Sequence, residues 1–462
     1  MRETVTNRVA ISKPLTVQSV NGPAVTIIEG YQLPSTTNGP GGAVRCVYMT
    51  NNTALTGFTL THGATDTNYS LNYDVFGGGA YCDNFTNCVL SNCVIIANSA
   101  GNSGGGVVSG TLNNCVVSSN SAISGGGGGV DFSTLNHCVI EGNQAPEGAG
   151  AYGNVPNYDG YWTSLNYCVL IGNSATHDGG GASGYVLNNC LVVGNSAQTG
   201  GGVSDSRMFN CTVVSNSATT GAGAEDAFVL NCIVYYNNGP NLSGVGGVVE
   251  NTEFTCTTPL PFSFLPGNFT DAPRFVNPST GDYRLQPNSP CINSGNNSLL
   301  TVTNNYFFDP THAYLTVISS DLDDNPRIAG GNVDAGAYEF QSPTSVISYA
   351  WLTQNGFPTD GSADFADPDH DGMNNWQEWH AGTIPTDPNS VLKLAVTDSS
   401  ASGTTVTWQG LTNITYYVQR TFSLDSPFST IQSDISRLTG TNSFTDTNGP
   451  GNAAAFYRVG VQ

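Results

Sequence analysis

The sequence predicts an all-β chain whose first half is a parallel β-helix, and three observations carry that prediction. Cysteine recurs as Cys93, Cys115, Cys138, Cys168, Cys190, Cys211 and Cys232, at intervals of 22, 23, 30, 22, 21 and 21 residues. Five residues after each stands an asparagine: Asn98, Asn120, Asn143, Asn173, Asn195, Asn216 and Asn237. Apolar, β-branched stretches such as Val94-Ile95-Ile96 and Leu191-Val192-Val193 lie between the two, and glycine clusters such as Gly104-Gly105-Gly106 follow. A period near 22 is too short for paired helices and fits one coil of a β-solenoid.

Stacking coils at the strand spacing of about 4.8 Å turns each repeated residue into a ladder. The cysteines then point inward, where a thiol acts as a small hydrophobe. The asparagines belong at a turn, where the side chain tolerates left-handed backbone and bonds to its copies above and below. Stacked cysteines rarely reach the dihedral near 90° that a disulfide needs, so the ladder is expected reduced. Cys82 and Cys88 are the pair most open to oxidation.

At 462 residues, two to four modules are expected. Glycine is abundant, at 56 residues, but follows no G-X-Y period, which sets collagen aside. Acidic residues outnumber basic ones 34 to 12, and Lys13 and Lys393 are the only lysines. Such a surface repels nucleic acid and anionic lipid and suits cations. No apolar run is long enough to span a membrane. The start, Met1-Arg2-Glu3-Thr4, lacks a cleavable signal and soon becomes strand-like, which reads as a truncated N-terminus with an open first coil. Self-association through that open end is a corresponding expectation.

The segments Ile11 to Ser19 and Thr26 to Gly30 resemble the first coils of pectin-lyase-like right-handed β-helix proteins. The glycine-rich coils resemble those of bacterial surface proteins of the polymorphic outer-membrane type. The resemblance covers residues 10–257 and implies a right-handed β-helix over residues 1–257.

Residues 258–341 form the next expected module, a terminal cap. From 271 onward they carry Thr280-Gly281-Asp282-Tyr283-Arg284-Leu285, Ser289-Pro290-Cys291-Ile292-Asn293, Asp321-Leu322-Asp323, Arg327 and Asp334-Ala335-Gly336-Ala337-Tyr338-Glu339 in order. This is similar to the choice-of-anchor Q region that follows β-helices in bacterial surface proteins, with Asn293 in place of the usual Asp. Asp334 and Glu339 are read as structural members of the cap, with catalysis as the alternative.

Residues 342–390 contain the sharpest chemical motif, Asp367-Pro368-Asp369-His370-Asp371-Gly372-Met373-Asn374-Asn375-Trp376-Gln377-Glu378. It fits the twelve-residue calcium-loop pattern at every defined position. Calcium takes six to eight hard oxygens. Asp367, Asp369 and Asp371 offer carboxylates, Met373 its carbonyl, Asn375 the position often bridged by water, and Glu378 two oxygens. A short exit helix is expected through Trp376 to Trp379, and no entry helix. The loop therefore resembles a dockerin or thrombospondin type 3 loop, which implies structural rather than sensory Ca2+; Asp387 is a further possible ligand.

Residues 391–462 alternate as strands at Leu392–Val396, Thr405–Trp408, Tyr416–Arg420 and Phe456–Val459, which predicts a small β-sandwich. They look like the fibronectin-III-like terminal domains of secreted bacterial proteins, with Trp408 and Tyr417 in the core. These resemblances imply an extracellular or cell-surface location.

Whether the β-helix is catalytic stays open, with a non-catalytic scaffold or adhesin favoured. A polysaccharide lyase needs basic residues for its uronate, and none lies between Arg45 and Arg207. A glycoside hydrolase needs two carboxylates. Asp205 and Asp226 lie 15 residues past their ladder cysteines in consecutive coils, and Asp131 lies 16 past its own, three coils earlier. Arg207 completes the catalytic candidates, and stacked carboxylates could equally hold a second calcium. A polysaccharide or cell-surface glycan is the expected partner. Tyr152, Tyr158, Tyr161 and Trp162 are its contact candidates, at the insertion in the 30-residue coil, and a second insertion carries Tyr69 and Tyr73.

Overall fold

The computed structural model describes all residues except 1–4, 33–41, 68–73, 84–86, 154–162, 245–251, 261–264, 305–313, 401–402, 411–413, 436–439, 449–453 and 462; of residues 301–304, 314–317 and 399–400 it describes the backbone. The aromatic residues Tyr69, Tyr73, Tyr158, Tyr161 and Trp162 lie outside the described residues. The chain divides into two compact units, Met1–Pro343 and Thr344–Gln462.

The first unit is a parallel β-helix. Three sheets of ten strands run its length, and a four-stranded sheet adds a fourth face to the central coils. We call them sheets A, B, C and D, beginning at Thr6–Ile11, Thr16–Gln18, Ile27–Glu29 and Ser99–Ala100. Each strand pairs in parallel with its counterpart one coil away, as in Leu112↔Leu135 on sheet B and Val117↔Ile140 on sheet C. The inward residues of these rows, Leu90, Leu112, Leu135 and Leu165 against Ile95, Val117, Ile140 and Leu170, are fully buried.

The corner between sheets B and C is a left-handed residue placed just before each ladder cysteine, from Asn92 (φ 50) through His137 (φ 51) to Asn231 (φ 54). It turns the cysteine inward. All twelve cysteines are free and buried, Cys82 and Cys88 among them. Cys115 Sγ lies 3.5 Å from the carbonyl of Leu90 and 3.3 Å from that of Asn113, and accepts from Cys93 N at 3.4 Å.

The asparagines also ladder, but they are not the left-handed residues. That geometry falls one place earlier, at Ala97, Ser119, Gly142, Gly172, Gly194, Ser215 and Tyr236. The turn thereby frees the asparagine side chain to point into the coil. Asn120 Nδ2 donates to Ile95 O at 2.9 Å and to Asn143 Oδ1 at 3.0 Å, while its backbone N–H donates to the same Oδ1 at 2.9 Å. The scheme continues from Asn173 to Asn195 and from Asn216 to Asn237, and ends on Asn241. The side-chain amides thus meet backbone groups that no strand ladder serves.

The C-terminal cap reaches well beyond the end of the helix. Its Phe269 pairs with the last strand at Cys256. Residues 320–337 then meet the flank, where Gly336 N donates to Asn231 O at 2.8 Å, Ala337 N to Thr212 Oγ1 at 2.9 Å, and Asn189 Nδ2 to Ser320 O at 3.2 Å. Thr212 and Ile233 on sheet C are buried beneath it, whereas Val116 on the same outer row is 36 % exposed.

A buried polar network holds the cap. Buried Arg327 donates to the carbonyls of Asp334 and Gly336. Asp334 accepts from Asn293 N at 2.7 Å and Phe340 N at 2.6 Å, and Glu339 from Ala329 N at 3.1 Å and Asp334 N at 3.0 Å. Burial pushes Asp334 up to about 7 and, aided by the Asp334 charge, Glu339 up to about 9. Both residues are buried.

The second unit contains two short helices and a β-sandwich. Helix α1 (Tyr349–Gln354) is capped by Ser348, and helix α2 (Asn375–Ala381) by Asn374 and Gln377 in a capping box. Only α2 was expected, because α1 is short and lies among glycine- and proline-rich sequence. The strands Leu394–Ser400, Gly403–Gly410 and Gly440–Asp446 form one antiparallel sheet; Ser429–Ile435, Tyr416–Thr421 and Phe456–Val461 form the other. Val406, Trp408, Tyr416 and Val418 are its buried centre. Tyr416, not Tyr417, is the buried tyrosine; the alternation places the Tyr417 ring on the other face, over Gly460. Among the described residues, no helix is long and apolar enough to cross a membrane.

Candidate functional site

The loop from Asp367 to Glu378 gathers oxygen at one point. Ligand oxygens of Asp367, Asp369 and Asp371 all lie within 4.8 Å of one another. The backbone sets this convergence: His370 N donates to Asp367 Oδ1 at 2.8 Å, Gly372 N to Asp367 Oδ2 at 3.1 Å, and Met373 N to Asp371 Oδ1 at 2.7 Å. Gly372, at φ +96, makes the sharp turn where a β-carbon would be strained.

Helix α2 supplies the remaining donors. Asn375, its first residue, is fixed by Nδ2 donating to Ala363 O at 2.8 Å. Glu378 lies one turn on and is 0 % exposed. Four oxygens of the loop are buried without a hydrogen-bond partner: Asp369 Oδ2, Asp371 Oδ2, Asn375 Oδ1 and Glu378 Oε2. Leaving such oxygens unmet costs on the order of 1–3 kcal/mol each. Burial first, then the charges of Asp369 and Asp371, push Glu378 up to about 7. Three converging aspartate carboxylates, with the unmet oxygens of Asn375 and Glu378 on the adjoining helix, fit a hard cation of the calcium type. Asp387 turns its Oδ1 to Asn389 N at 3.0 Å instead.

The second group of acids lies on and beside sheet A. Asp205 (φ 47) and Asp226 (φ 47) occupy equivalent left-handed corners in consecutive coils, where Ser204↔Glu225 and Val203↔Ala224 fix the register. Both are exposed. Partial desolvation and then the charges of Asp226, Asp178 and Glu147 raise the Asp205 carboxyl above its ordinary value. Glu225 is raised by desolvation and by Asp226, Asp178 and Asp205, against a lowering contact with Thr199.

Asp131 does not join them at the corner. Phe132 occupies the corner of its coil, while Asp131 pairs with Tyr152 on the outer row of sheet A and is 3 % exposed. The one-residue difference in offset moves it to a different row, and burial holds its carboxyl far above the usual range. Tyr152 is half-buried, folded over Gly126 and edge-on to Phe132 at 6.4 Å between ring centres. Arg207 starts a sheet B strand, with its guanidinium 4.9 Å from the Phe228 ring centre. It packs along the outer row of sheet B beside Val186 and Phe228, while the acids follow sheet A and its corners.

Sequence reasoning passed over Thr199 and Ser204. Thr199 donates to Asp178 Oδ1, and Ser204 is the in-register neighbour of Glu225. An available signal was that Ser204 and Glu225 each stand 14 residues after a ladder cysteine. Neither protein-family models nor curated proteins give a match to this chain.

Proposed function

We propose that the chain is an extracellular or cell-surface scaffold of the adhesin type, a β-helix whose companion unit is rigidified by calcium. The observation that carries the calcium half is Glu378, a wholly buried carboxylate with an unmet oxygen at the last position of a loop already crowded with acids. Asp367, Asp369, Asp371 and Glu378 would hold the ion through carboxylates, Asn375 through its amide oxygen or a water, and Met373 through its carbonyl. A bound calcium supplies positive charge that offsets their repulsion and ties α2 to the loop.

The scaffold half is supported by where the repeated residues go. The ladder cysteines and asparagines are spent on the interior. Likeness to polymorphic outer-membrane coils, the choice-of-anchor Q region, dockerin and thrombospondin type 3 loops and fibronectin-III-like terminal domains supports the surface location. A neutral or weakly charged glycan is the partner that suits an acidic, partly aromatic face beginning at Tyr152. Binding on a glycan array without new reducing ends is the expected result. The calcium reading fails if a chelator leaves the melting of the Thr344–Gln462 unit unchanged.

A polysaccharide hydrolase is the second reading, favoured by the raised Asp205 carboxyl beside Asp226. A pair of neighbouring carboxylates is what glycoside cleavage requires. New reducing ends from a polysaccharide panel, lost in Asp205→Asn and Asp226→Asn, would establish it in place of the scaffold.

A further inference from the structure

The outer row of sheet A has a recurring construction. Each of its side chains lies over a glycine of positive φ in the turn before it: Asp131 over Gly127, Tyr152 over Gly148, Ser204 over Gly200 and Glu225 over Gly221. A second row, Glu147, Asp178 and Thr199, runs on the other side of these glycines.

Between Asp178 and Glu225 two buried side-chain oxygens stand without a partner, beside a hydroxyl that two carboxylates approach. The Thr199 hydroxyl donates its one hydrogen to Asp178 Oδ1. Glu225 also lies against that hydroxyl, which has no second proton to give. Glu225 Oε2 is buried and has no partner. Ser204 is 4 % exposed, and its Oγ likewise has none. That Oγ leans over the preceding coil, 2.8 Å from where a β-carbon on Gly179 would sit, next to Asp178. Asp205 and Asp226 add negative charge, and no lysine or arginine occurs between Arg45 and Arg207 to balance it.

We propose that Asp178, Thr199, Ser204 and Glu225 form a second calcium site, on the flank of the β-helix. Two carboxylates and two hydroxyls are hard oxygen donors, and calcium tolerates the irregular geometry of ligands drawn from three coils. The ion would meet Glu225 Oε2 and Ser204 Oγ and separate the stacked acids. This site is independent of the Asp367 loop and would survive the failure of that reading.

Equilibrium dialysis of the full chain against calcium alone tests it. The expected result is two ions per chain in the wild type. In Asp369→Asn/Asp371→Asn the flank ion remains, so one is bound. In Asp178→Asn/Glu225→Gln the loop ion remains and the flank site weakens at least tenfold. The proposal is overturned if Asp369→Asn/Asp371→Asn binds none, or if Asp178→Asn/Glu225→Gln retains wild-type stoichiometry and affinity. Since the first of these variants leaves the β-helix untouched, the test stands even if the second misfolds.

Discussion

The interior of the β-helix and the Asp367 loop both bury polar groups, and they treat them in opposite ways. In the asparagine ladder of the helix, each amide from Asn98 to Asn216 finds a partner in the next coil, as Asn143 Nδ2 does on Asn173 Oδ1 at 2.9 Å. In the loop, four buried oxygens meet nothing the chain itself offers. Repetition satisfies the first region from within, because every coil brings the donors its neighbour lacks. The loop occurs once, so its balance must come from outside. Unmet oxygens therefore set the loop apart from the asparagine ladder.

The largest effect on this contrast should come from removing one rung of the ladder. Asn173→Ala leaves Asn143 N–H and Ile140 O without their shared partner and takes from Asn195 Oδ1 one of its two donors, the Asn173 backbone N–H remaining. At on the order of 1–3 kcal/mol per abandoned group, a loss of about 3 kcal/mol or more is expected. Denaturant unfolding of the β-helix measures it, and a loss under about 1 kcal/mol would mean that the ladder amides are replaceable by water.

Calcium is the next lever. At a hundred times its dissociation constant, it should stabilise the Thr344–Gln462 unit by about 2.7 kcal/mol. Glu378→Gln should abolish most of that shift while leaving the helix transition in place. A calcium shift that persists in Glu378→Gln would remove this carboxylate from the ligand set.

The cap lies between the two extremes, with acids that are buried and bonded yet hard to ionise. Asp334 is raised from 3.8 to about 7 and Glu339 from 4.5 to about 9. The folded chain therefore holds these protons more tightly than the unfolded one. Their contribution to stability is full below about pH 4, falls as pH rises from there to about 9, and then levels off. Hydrogen exchange of residues 291–340 should quicken over that interval, and Glu339→Gln should flatten the dependence. An unchanged slope in the variant would place the titration elsewhere.

The smallest effect is expected at the cysteines. Thr255 already stands in the ladder, its hydroxyl accepting from Cys232 N at 3.3 Å and bonding to Val229 O at 3.2 Å and Glu253 O at 3.0 Å. Cys168→Ser should find the same pair of carbonyls, at Leu135 and Asn166, and cost no more than about 1.5 kcal/mol. A larger loss in thermal unfolding would give the thiols a role beyond filling space.

The ladders were legible because repetition in sequence becomes translation in space, which leaves Cys168 and Asn173 one environment each. The left-handed corner was misplaced by one residue for a related reason. An asparagine at a turn suggests its own backbone bends, yet here its side chain is needed inside, so Ala97 or Gly172 bends instead. Asp131 was misjudged because a single offset decides between an exposed corner and a buried row. The convergence of Asp367, Asp369 and Asp371 was legible through spacing alone, whereas the unmet oxygens of Glu378 and Ser204 depend on packing that no spacing reveals. The flank contacts of the cap and helix α1 have no period to announce them.

The asparagine column has a further property, which is its direction. From Asn98 onward each amide turns one N–H toward the oxygen of the amide in the following coil, while its other N–H meets a carbonyl of the preceding coil. The small dipoles add head to tail, each polarising the next. One end is electron-rich at Asn98 Oδ1, where Gly63 N donates at 2.8 Å; the other is electron-poor at Asn241 Nδ2, which donates to Thr258 O at 2.8 Å. The β-helix thus has an electrical polarity along its axis that the near-antiparallel arrangement of peptide dipoles within each strand does not provide.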